Sequence, residues 1–580
     1  YDLTFSAPKS VSVAWSLADQ ELQTEIAAAH DAAVRAALDY LERNAFSSRD
    51  RGESRMLKGI LAATYQHSTS REQDPQLHTH CAVANMGMRD DGTVCAIDFS
   101  THWKLAGGSV YRVALSHQLK QRGFGIERDG TSFRLNCIPE PLCKIFSKRR
   151  SQILDYIEQT GFNSAKSRDI AALATRRQKE SPDRSLLQAS WQREAMEAGY
   201  SPEALFLLLR CVPPQMARRD AEPFTLEEII ADLTRTQAVI TRPQLEAAIA
   251  IEAQGRWGAD ELPNQVEQAI RQALENPEPH GLIRLNPSGG QRLSRRQTIH
   301  YTTRQMLQLE QECLSAALSR KDERHHSVEL PERLLQGLSQ EQADAVKKIT
   351  QSSGGLCAVV GIAGSGKSFM LSRAREAFEE KFVVLGAALA GRAAESLEQG
   401  SGIPSVTLHS LLADLERGRL QLTNRHVIVL DEAGMIGTKA FHTLTSLINA
   451  AGSKLVAIGD PKQIQAIEAG GIFRAVSDTV GYASLTEIRR QESVEDRDMI
   501  HKLMAGQSEE VIEQLTQAGQ LVTSADDQII QHMVNDWYAN RDADRPGESL
   551  MLSGTKADAT ALNLYARSLM KDDHRLHSEV

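Results

Sequence analysis

The fold of the second half of this chain is decided by Gly361-Ile362-Ala363-Gly364-Ser365-Gly366-Lys367-Ser368. The stretch matches the phosphate-loop pattern G-x-x-x-x-G-K-[ST] at every defined position. An apolar run at 356–360 precedes it and a helical pattern follows it, which is the setting that such a loop occupies. Because its glycines let backbone N–H groups converge on phosphate oxygens, the stretch predicts a nucleotide site.

Side chains of the loop and of a later strand are expected to bind ATP and Mg²⁺ and to assist hydrolysis. Lys367 is expected to neutralise charge on the β- and γ-phosphates, and the Ser368 hydroxyl to ligate Mg²⁺. An apolar run at 427–430 ends in Asp431 and Glu432. Asp431 is predicted to hold Mg²⁺, and Glu432 to orient the hydrolytic water and take its proton. The predicted ATP-binding residues of the loop are Gly361, Gly364, Ser365, Gly366, Lys367 and Ser368.

Three polar residues outside the loop are further candidates for the nucleotide site. Gln463, in the segment Gly459-Asp460-Pro461-Lys462-Gln463, is a candidate sensor of the γ-phosphate, although an exposed polar loop would have the same composition. Arg490 is a candidate arginine finger that reaches the nucleotide from a second lobe. Gln342, which precedes the loop, is a candidate for binding the edge of adenine.

Apolar strand patterns recur through this half of the chain. They lie at 356–360, 382–385, 427–430, 455–458 and 549–552, and helical segments separate the first four. Strands that alternate with helices in this way predict a parallel sheet of the α/β type.

The first half of the chain contains a second candidate site, made of three histidines. His78 and His80 are two residues apart, so on a strand both imidazoles face the same side. Asp74 and Pro75 turn the chain back after a strand that ends at His67, and a hairpin would bring His67 beside the other two. A His-x-His pair alone fits surface histidines equally well, but the third histidine favours a divalent metal site with open coordination positions.

The elements around the histidines predict an α+β domain. Strand patterns lie at 57–65 and 81–88, and the first is apolar enough for a buried strand. Amphipathic helical patterns lie at 21–43 and 110–122. A further strand is predicted at 280–285, within a small α-rich segment.

The composition indicates which classes of protein this chain can belong to. The 580 residues are 41% hydrophobic and 24% charged, which is typical of a soluble chain of several domains. No apolar run reaches the roughly 18 residues of a membrane span, so none is expected. The seven cysteines form no CxxC pair, which favours a reducing cytoplasm over a disulfide framework. A formal net charge of −9 excludes a protein that coats nucleic acid through bulk positive charge.

Two segments resemble known families. The stretch Asp2-Leu3-Thr4-Phe5-Ser6-Ala7-Pro8-Lys9-Ser10-Val11-Ser12, together with the segment from Gln66 to His80, resembles the relaxase domain of the MobF family of conjugative relaxase–helicases, which are HUH endonucleases. Thr79 occupies the middle position of the histidine motif. The motor motifs, including Thr407-Leu408-His409-Ser410-Leu411, resemble superfamily 1 helicases of the RecD type.

The resemblance implies a chemistry for the histidines. A divalent metal (Mg²⁺, Mn²⁺ or Zn²⁺) held by His67, His78 and His80 would polarise a phosphate of single-stranded DNA at a transfer origin, and a tyrosine would attack it. Asp2 matches the carboxylate that assists the tyrosine or orients a metal-binding histidine. Lys9 and Arg71 are candidate phosphate contacts, although they would be equally ordinary as solvated surface charges.

No tyrosine of this sequence matches the nucleophile of the family. Tyr1, Tyr40, Tyr65 and Tyr111 are interpreted as core or interface residues. The resemblance therefore implies that the nucleophile lies upstream of Tyr1 and that the relaxase domain is truncated here.

The implied organisation has four parts, in a multidomain α/β chain. They are an HUH-type relaxase domain with an antiparallel sheet and helices (1–205), a small α-rich, winged-helix-like module (206–330), a RecA-like P-loop lobe (331–485) and the start of a truncated second lobe (486–580). The implied function is nicking at a transfer origin coupled to 5′–3′ unwinding, with conjugation-machinery partners in the bacterial cytoplasm. A stand-alone RecD-type repair helicase and a non-catalytic DNA-binding remnant remain alternatives.

Overall fold

The structure, a computed structural model, groups the chain into two compact units. The structure describes residues 1–50, 53–70, 72–148, 184–210, 224–285, 299–352, 354–461, 463, 469–491, 493–523, 528–541 and 549–572. The first unit contains the described residues within 1–222, 250–263 and 512–580, and the second contains those within 223–249 and 264–511.

The first part of the chain supplies most of the first unit. Its elements are β1 (Asp2–Ser6), α1 (Lys9–Leu17), α2 (Gln20–Ala45), β2 (Phe46–Asp50), β3 (Glu53–Met56), β4 (Gly59–Thr69), β5 (Pro75–Met88), β6 (Val94–Cys95), β7 (Asp98–Phe99), α3 (Lys104–Gln121), β8 (Ile126–Asp129), β9 (Ser132–Leu135), α4 (Glu140–Ile145), α5 (Arg184–Glu197) and α6 (Pro202–Arg210), with a 3-10 turn at Thr101–Trp103. Both helices predicted in this region are confirmed, and α3 begins six residues ahead of the predicted position at 110.

The central sheet of this unit is antiparallel and has the order β1-β5-β4. Side chains alternate along β5, so that Leu77, Cys81 and Val83 are buried while the residues between them face the other side. Leu3 and Phe5 of β1 are buried on the same side. One face of the sheet is therefore packed against the domain interior, and the opposite face is open.

The strand predicted at 57–65 is present as β4, but the prediction that it is buried was wrong. Leu61 is 62% exposed and Tyr65 is 57% exposed. Both lie at the edge of the sheet, because β4 pairs with β5 and with no other described strand. An apolar composition indicated a strand correctly, but it could not show that nothing in the described chain covers the strand.

The second unit is built on a six-stranded sheet. Its elements, some of which reach the boundary between units, are α7 (Leu226–Thr234), β10 (Ile240–Thr241), α8 (Arg242–Glu252), α9 (Leu262–Glu275), β11 (Leu282–Leu285), β12 (His300–Thr303), α10 (Arg304–Ser319), α11 (Gln340–Lys347), β13 (Leu356–Gly361), α12 (Lys367–Phe378), β14 (Val383–Ala388), α13 (Gly391–Ser401), β15 (Ser405–Thr407), α14 (Leu408–Glu416), β16 (His426–Leu430), α15 (Thr438–Ala451), β17 (Lys454–Gly459), α16 (Phe473–Val480), β18 (Tyr482–Leu485), α17 (Val494–Met504) and α18 (Ser508–Gln517). Short 3-10 turns lie at Glu332–Leu335 and Ala433–Met435, and a π-helical turn at Lys348–Ser352.

All strands of this sheet are parallel, in the order β15-β14-β16-β17-β13-β18. Alternate residues of β13 and β16 enter two separate cores, one containing Val359 and Val427 and the other containing Ala358 and Ile428. The strands of a sheet that is buried on both faces are continuous apolar runs in the sequence. The first four predicted strands were found from such runs, and the structure confirms them.

The strand predicted at 549–552 was wrong. These residues form no strand, and Leu550 and Leu552 are 80% and 75% exposed. They precede α20 (Lys556–Asp572), which packs with α19 (Ile529–Asn540) around Val534 and Leu562. A four-residue apolar run has no strand periodicity to distinguish it from a loop between helices.

A smaller antiparallel sheet, β10-β12-β11, lies within the second unit, and β11 confirms the strand predicted at 280–285. The winged-helix-like interpretation of this region stays a prediction. Among the helices of the described residues, none combines the length and the hydropathy that crossing a bilayer requires.

Candidate functional site

Three histidines meet on the open face of the first unit's sheet. His67 of β4 pairs directly with His78 of β5, and His80 is two residues further along β5. Each pair of rings has centroids 5.3 Å apart, and one nitrogen from each ring lies within 4.8 Å of the others. The predicted hairpin is therefore confirmed, and three imidazole nitrogens at this separation can surround one ion.

Hydrogen bonds fix which nitrogen of two histidines can coordinate. His78 donates from Nδ1 to the carbonyl of Gln76 at 2.8 Å. His80 Nδ1 lies 3.1 Å from both carboxylate oxygens of Asp2 and 3.1 Å from the hydroxyl of Thr4. Because a carbonyl and a carboxylate only accept, both Nδ1 atoms carry the proton and Nε2 carries the lone pair that a metal needs.

Thr79, between His78 and His80 of β5, points to the opposite, buried face. Its hydroxyl lies 2.8 Å from His30 Nε2, and His30 Nδ1 lies 2.8 Å from the hydroxyl of Tyr111. Burial lowers the pKa of His30 to about 4, and the nearby His78 adds to this shift. Burial also raises the pKa of Tyr111. The network is therefore neutral at physiological pH.

His30 was not predicted from the sequence. It lies in α2 on the buried stripe with Ile26, Ala29 and Ala33. The sequence did contain a signal for His30, because the helical period places this titratable residue at a position where an apolar residue is expected.

The two predicted DNA contacts have different outcomes. Lys9 donates from Nζ to the carbonyl oxygens of Pro75 and Phe146, at 3.0 and 2.6 Å, and burial lowers its pKa. Its ammonium thus joins the start of β5 to the end of α4, and a DNA contact stays a prediction. Arg71 lies outside the described residues.

The phosphate loop follows β13 at the carboxyl edge of the second unit's sheet. Gly364 and Gly366 have φ angles of 82° and 76°, in the left-handed region that favours glycine. A Cβ atom at Gly366 would lie 2.5 Å from Gln342 Nε2. Lys367 begins α12 and donates from Nζ to the carbonyl of Gly361 at 3.0 Å. The loop has the backbone form that presents N–H groups to phosphates.

Asp431 and Glu432 follow β16 at the same edge. The backbone N–H of Glu432 donates to Asp431 Oδ1 at 2.9 Å, and Glu432 has a φ angle of 53°, which is strained for a residue with a side chain. Partial burial and the charge of Asp431 raise the pKa of Glu432, while Lys367 lowers it. The electrostatic influence of Lys367 on Glu432 links the two carboxylates to the phosphate loop.

Two neighbouring residues of α11 support the loop. Gln342 is buried, donates from Nε2 to the carbonyl of Ser365 at 3.0 Å and accepts from the N–H of Ser339 at 3.0 Å. Its proposed contact with adenine stays a prediction. Glu341 accepts from the N–H and hydroxyl of Thr486 at 2.7 and 2.5 Å. Glu341 was not predicted from the sequence, although Ser339 and Gln342 on either side of it have the spacing of a helix capping box.

The remaining candidates also stay predictions. The backbone N–H groups of Arg489 and Arg490 donate to the carbonyl of Gly364 at 2.9 and 3.2 Å, so this segment lies against the loop. The Arg490 side chain is exposed. Gln463 is exposed, and its neighbours 462 and 464–468 lie outside the described residues.

Comparisons with known proteins match both halves of the chain. The family described as TrwC relaxase matches residues 1–198, and the family described as AAA domain matches residues 337–526. The "Probable conjugal transfer protein TraA" of Sinorhizobium fredii is 38% identical over 275 residues, which are 46% of this chain and 25% of that protein. The "Multifunctional conjugation protein TraI" of Escherichia coli is 32% identical over 217 residues, which are 35% of this chain and 12% of that protein.

A solved structure is also similar. "Conjugative Relaxase TRWC in complex with ORIT dna" is 35% identical, with a TM-score of 0.32, over 34% of this chain and 70% of that one.

Residues 1–198 therefore match a TrwC relaxase domain and residues 337–526 an AAA domain, and the relaxase domain and P-loop domain expected from the sequence are confirmed. Several of its curated relatives are named as conjugal transfer proteins. The chain spans about a quarter of the length of the TraA relatives.

Proposed function

We propose that this chain contributes to nicking of single-stranded DNA at a transfer origin and to ATP-driven 5′–3′ unwinding of that DNA. The observation that carries the proposal is the cluster of His67, His78 and His80 on an open sheet face, in one chain with a complete phosphate loop. Relatives named for conjugal transfer support the transfer origin as the DNA, conjugation proteins as partners and the bacterial cytoplasm as the compartment.

The histidine cluster suits a divalent ion such as Mg²⁺, Mn²⁺ or Zn²⁺. When bound, such an ion supplies Lewis-acid polarisation of a phosphate oxygen. The chain's own contribution is to fix the tautomer: Asp2 accepts from His80 Nδ1 and the carbonyl of Gln76 accepts from His78 Nδ1, so the lone pair of each ring is on Nε2. No tyrosine of this sequence matches the family's nucleophile, so the proposed role covers binding and polarising the phosphate.

The phosphate loop is proposed to bind ATP with Mg²⁺. Lys367 would lie against the β- and γ-phosphates, Ser368 and Asp431 would hold Mg²⁺, and Glu432 would act as the base for water. Gln463 and Arg490 are proposed as γ-phosphate contacts and Gln342 as an adenine contact. Both backbone strain at Glu432 and its proximity to Lys367 support the assignment of the base.

Calorimetric titration of Mn²⁺ into the metal-free chain tests the relaxase part. Wild type is expected to bind one ion, and His78→Ala is expected to lose that binding. His102→Ala changes an exposed histidine outside the cluster and serves as the matched control. Wild-type protein that binds no divalent ion, with DNA binding unchanged in His78→Ala, would favour a stand-alone helicase.

Hydrolysis of ATP with and without single-stranded DNA tests the motor part. DNA should stimulate wild type, and Lys367→Ala should abolish hydrolysis, while Lys381→Ala, at an exposed position, should leave it unchanged. Hydrolysis absent in wild type and in Lys367→Ala alike would favour a non-catalytic DNA-binding remnant.

A further inference from the structure

The open face beside the histidine cluster carries an exposed aromatic ring. Tyr65 of β4 is the direct cross-strand partner of His80, and it lies two residues before His67 on its own strand. All three side chains therefore share one face of the sheet. Directly paired residues of antiparallel strands have Cβ atoms about 5 Å apart. The side chain of Tyr65, which is 57% exposed, thus projects from the same face as the cluster, beside the position of His80.

Tyr65 differs from the other tyrosines near the sheet. Tyr111 is buried and hydrogen-bonded to His30, and Tyr40 is buried against Trp103. The hydroxyl of Tyr1 donates to the carbonyl of Ile97. Within the described residues, the Tyr65 side chain has neither a hydrogen-bond partner nor a stacked or edge-on aromatic ring. Tyr65 is therefore not a core residue, while its interpretation as an interface residue stays a prediction, and its ring is available to a ligand.

The surroundings of Tyr65 leave room for a flat ligand. The next cross-strand pair on this face is Ala63 with Ala82, both exposed, and Leu61 beyond it is 62% exposed. Small side chains beside an aromatic ring give a shallow, apolar strip that starts at the histidines. A nucleotide whose phosphate lies at the histidine cluster would place a base within reach of this strip.

We infer that Tyr65 is a stacking platform for a base of the single-stranded DNA next to the phosphate held at the histidine cluster. The inference rests on the proposed relaxase function and adds a positioning residue to it. Stacking suits this place because every base has a π face, and it contributes about 1–3 kcal/mol per base in other single-strand binders. An exposed sheet that stacks bases on aromatic side chains is an established mode of recognition.

Binding of a fluorescein-labelled, mixed-sequence single strand to the full chain in Mn²⁺ tests the inference by anisotropy. Tyr65→Phe keeps the π face and should bind within twofold of wild type. Tyr65→Leu keeps apolar bulk but not the π face, and should bind about tenfold more weakly, within the range of one stacked base. Tyr482→Leu, at a tyrosine that is 45% exposed in the other unit, is the matched control and should bind like wild type.

A second measurement locates the base. Single 5-iododeoxyuridine substitutions along the strand are irradiated with the protein, and the cross-linked peptide is identified by mass spectrometry. The expected cross-link is to Tyr65, from one or two adjacent positions, and it should disappear in Tyr65→Leu without a change in Mn²⁺ affinity.

The outcomes distinguish failure of the stacking inference from failure of the proposed relaxase function. Binding by Tyr65→Leu that equals wild type, or weakening of Tyr65→Phe as large as that of Tyr65→Leu, would overturn stacking alone. Wild-type protein that binds neither Mn²⁺ nor single-stranded DNA would overturn the proposed function and the inference with it.

Discussion

The indole Nε1 of Trp191 donates a hydrogen bond to the carbonyl oxygen of Gln73 at 2.8 Å, across 118 residues of sequence. Gln73 lies in the turn between β4 and β5, with a φ angle of 61°. Trp191 belongs to α5, and its ring packs edge-on against Trp15, with centroids 6.3 Å apart. Helix α5 therefore holds a strained turn that fixes how the two histidine-bearing strands meet.

Substitution of Trp191 should weaken metal binding at the histidine cluster, because it removes a bond to this turn. Trp191→Phe keeps an aromatic ring against Trp15 but removes the donor, and loss of a hydrogen bond of this kind costs about 1 kcal/mol. We expect Mn²⁺ affinity to fall about fivefold by calorimetry, with the fold retained by circular dichroism. Trp103→Phe, at a ring that packs on Tyr40, is the control. Equal Mn²⁺ affinity in both variants would show that the turn is fixed without α5.

Removal of the Asp2 carboxylate should weaken metal binding more strongly than Trp191→Phe does. Asp2→Ala leaves His80 Nδ1 without its charged acceptor, so that the proton and the ring orientation are no longer fixed. Loss of such a partner commonly lowers metal affinity by about 10- to 100-fold. Asp2→Asn, which keeps one acceptor, should lie between wild type and Asp2→Ala in the same titration. Asp31→Ala, at an exposed position of α2, should have no effect, and a similar loss there would contradict the orienting role.

The buried His30 should make the stability of the first unit depend on pH. Its folded pKa of about 4 lies below the usual 6.5, so the unfolded state binds the proton more tightly. The free energy of unfolding is thus highest above pH 6.5 and falls as the pH is lowered toward 4. The contribution is about 3 kcal/mol, at about 1.4 kcal/mol per pKa unit.

Urea unfolding of the metal-free protein at pH 7 and pH 4.5 measures this dependence. All five tryptophans lie within the first unit's ranges, so tryptophan fluorescence reports on that unit. His30→Gln should lose much less stability at low pH than wild type. His102→Gln, at an exposed histidine, should behave like wild type, and a pH profile unchanged in His30→Gln would refute the assignment.

A methyl group at Gly366 should block the phosphate loop. The left-handed φ of 76° disfavours any side chain by about 1–2 kcal/mol, and the added Cβ would lie 2.5 Å from Gln342 Nε2. We expect Gly366→Ala to lower the affinity for a fluorescent ATP analogue at least tenfold. Gly418→Ala has a similar φ of 68° but nothing within 4 Å of its Cβ. Gly418→Ala should lose as much stability as Gly366→Ala but retain wild-type nucleotide affinity. If both variants lost nucleotide affinity equally, backbone strain alone would explain the effect.

Local patterns predicted the parts of the fold that depend on neighbours in sequence. The phosphate loop and the four longer strands of the parallel sheet follow from contiguous motifs and apolar runs. The histidine cluster follows from a two-residue spacing and one turn, because a hairpin pairs strands that are adjacent along the chain.

The remaining features depend on contacts between distant residues. The short strands β15 and β18 were not predicted, because three or four residues carry too little periodicity. The roles of Glu341 at Thr486 and of His30 at Thr79 need partners that only the folded chain brings together. The exposure of Tyr65 likewise depends on what packs over β4, which no property of the strand itself specifies.

The position of β4 has a consequence for handling the protein. The strand spans Gly59–Thr69 at the border of its sheet, and β5 is its single described strand neighbour. Long, uncharged border strands of this kind readily recruit a strand from another molecule. Two copies related by a twofold axis would align β4 with β4 and merge their sheets. We therefore expect reversible, concentration-dependent dimers in light scattering, and expect a lysine introduced at Ala63 to suppress them.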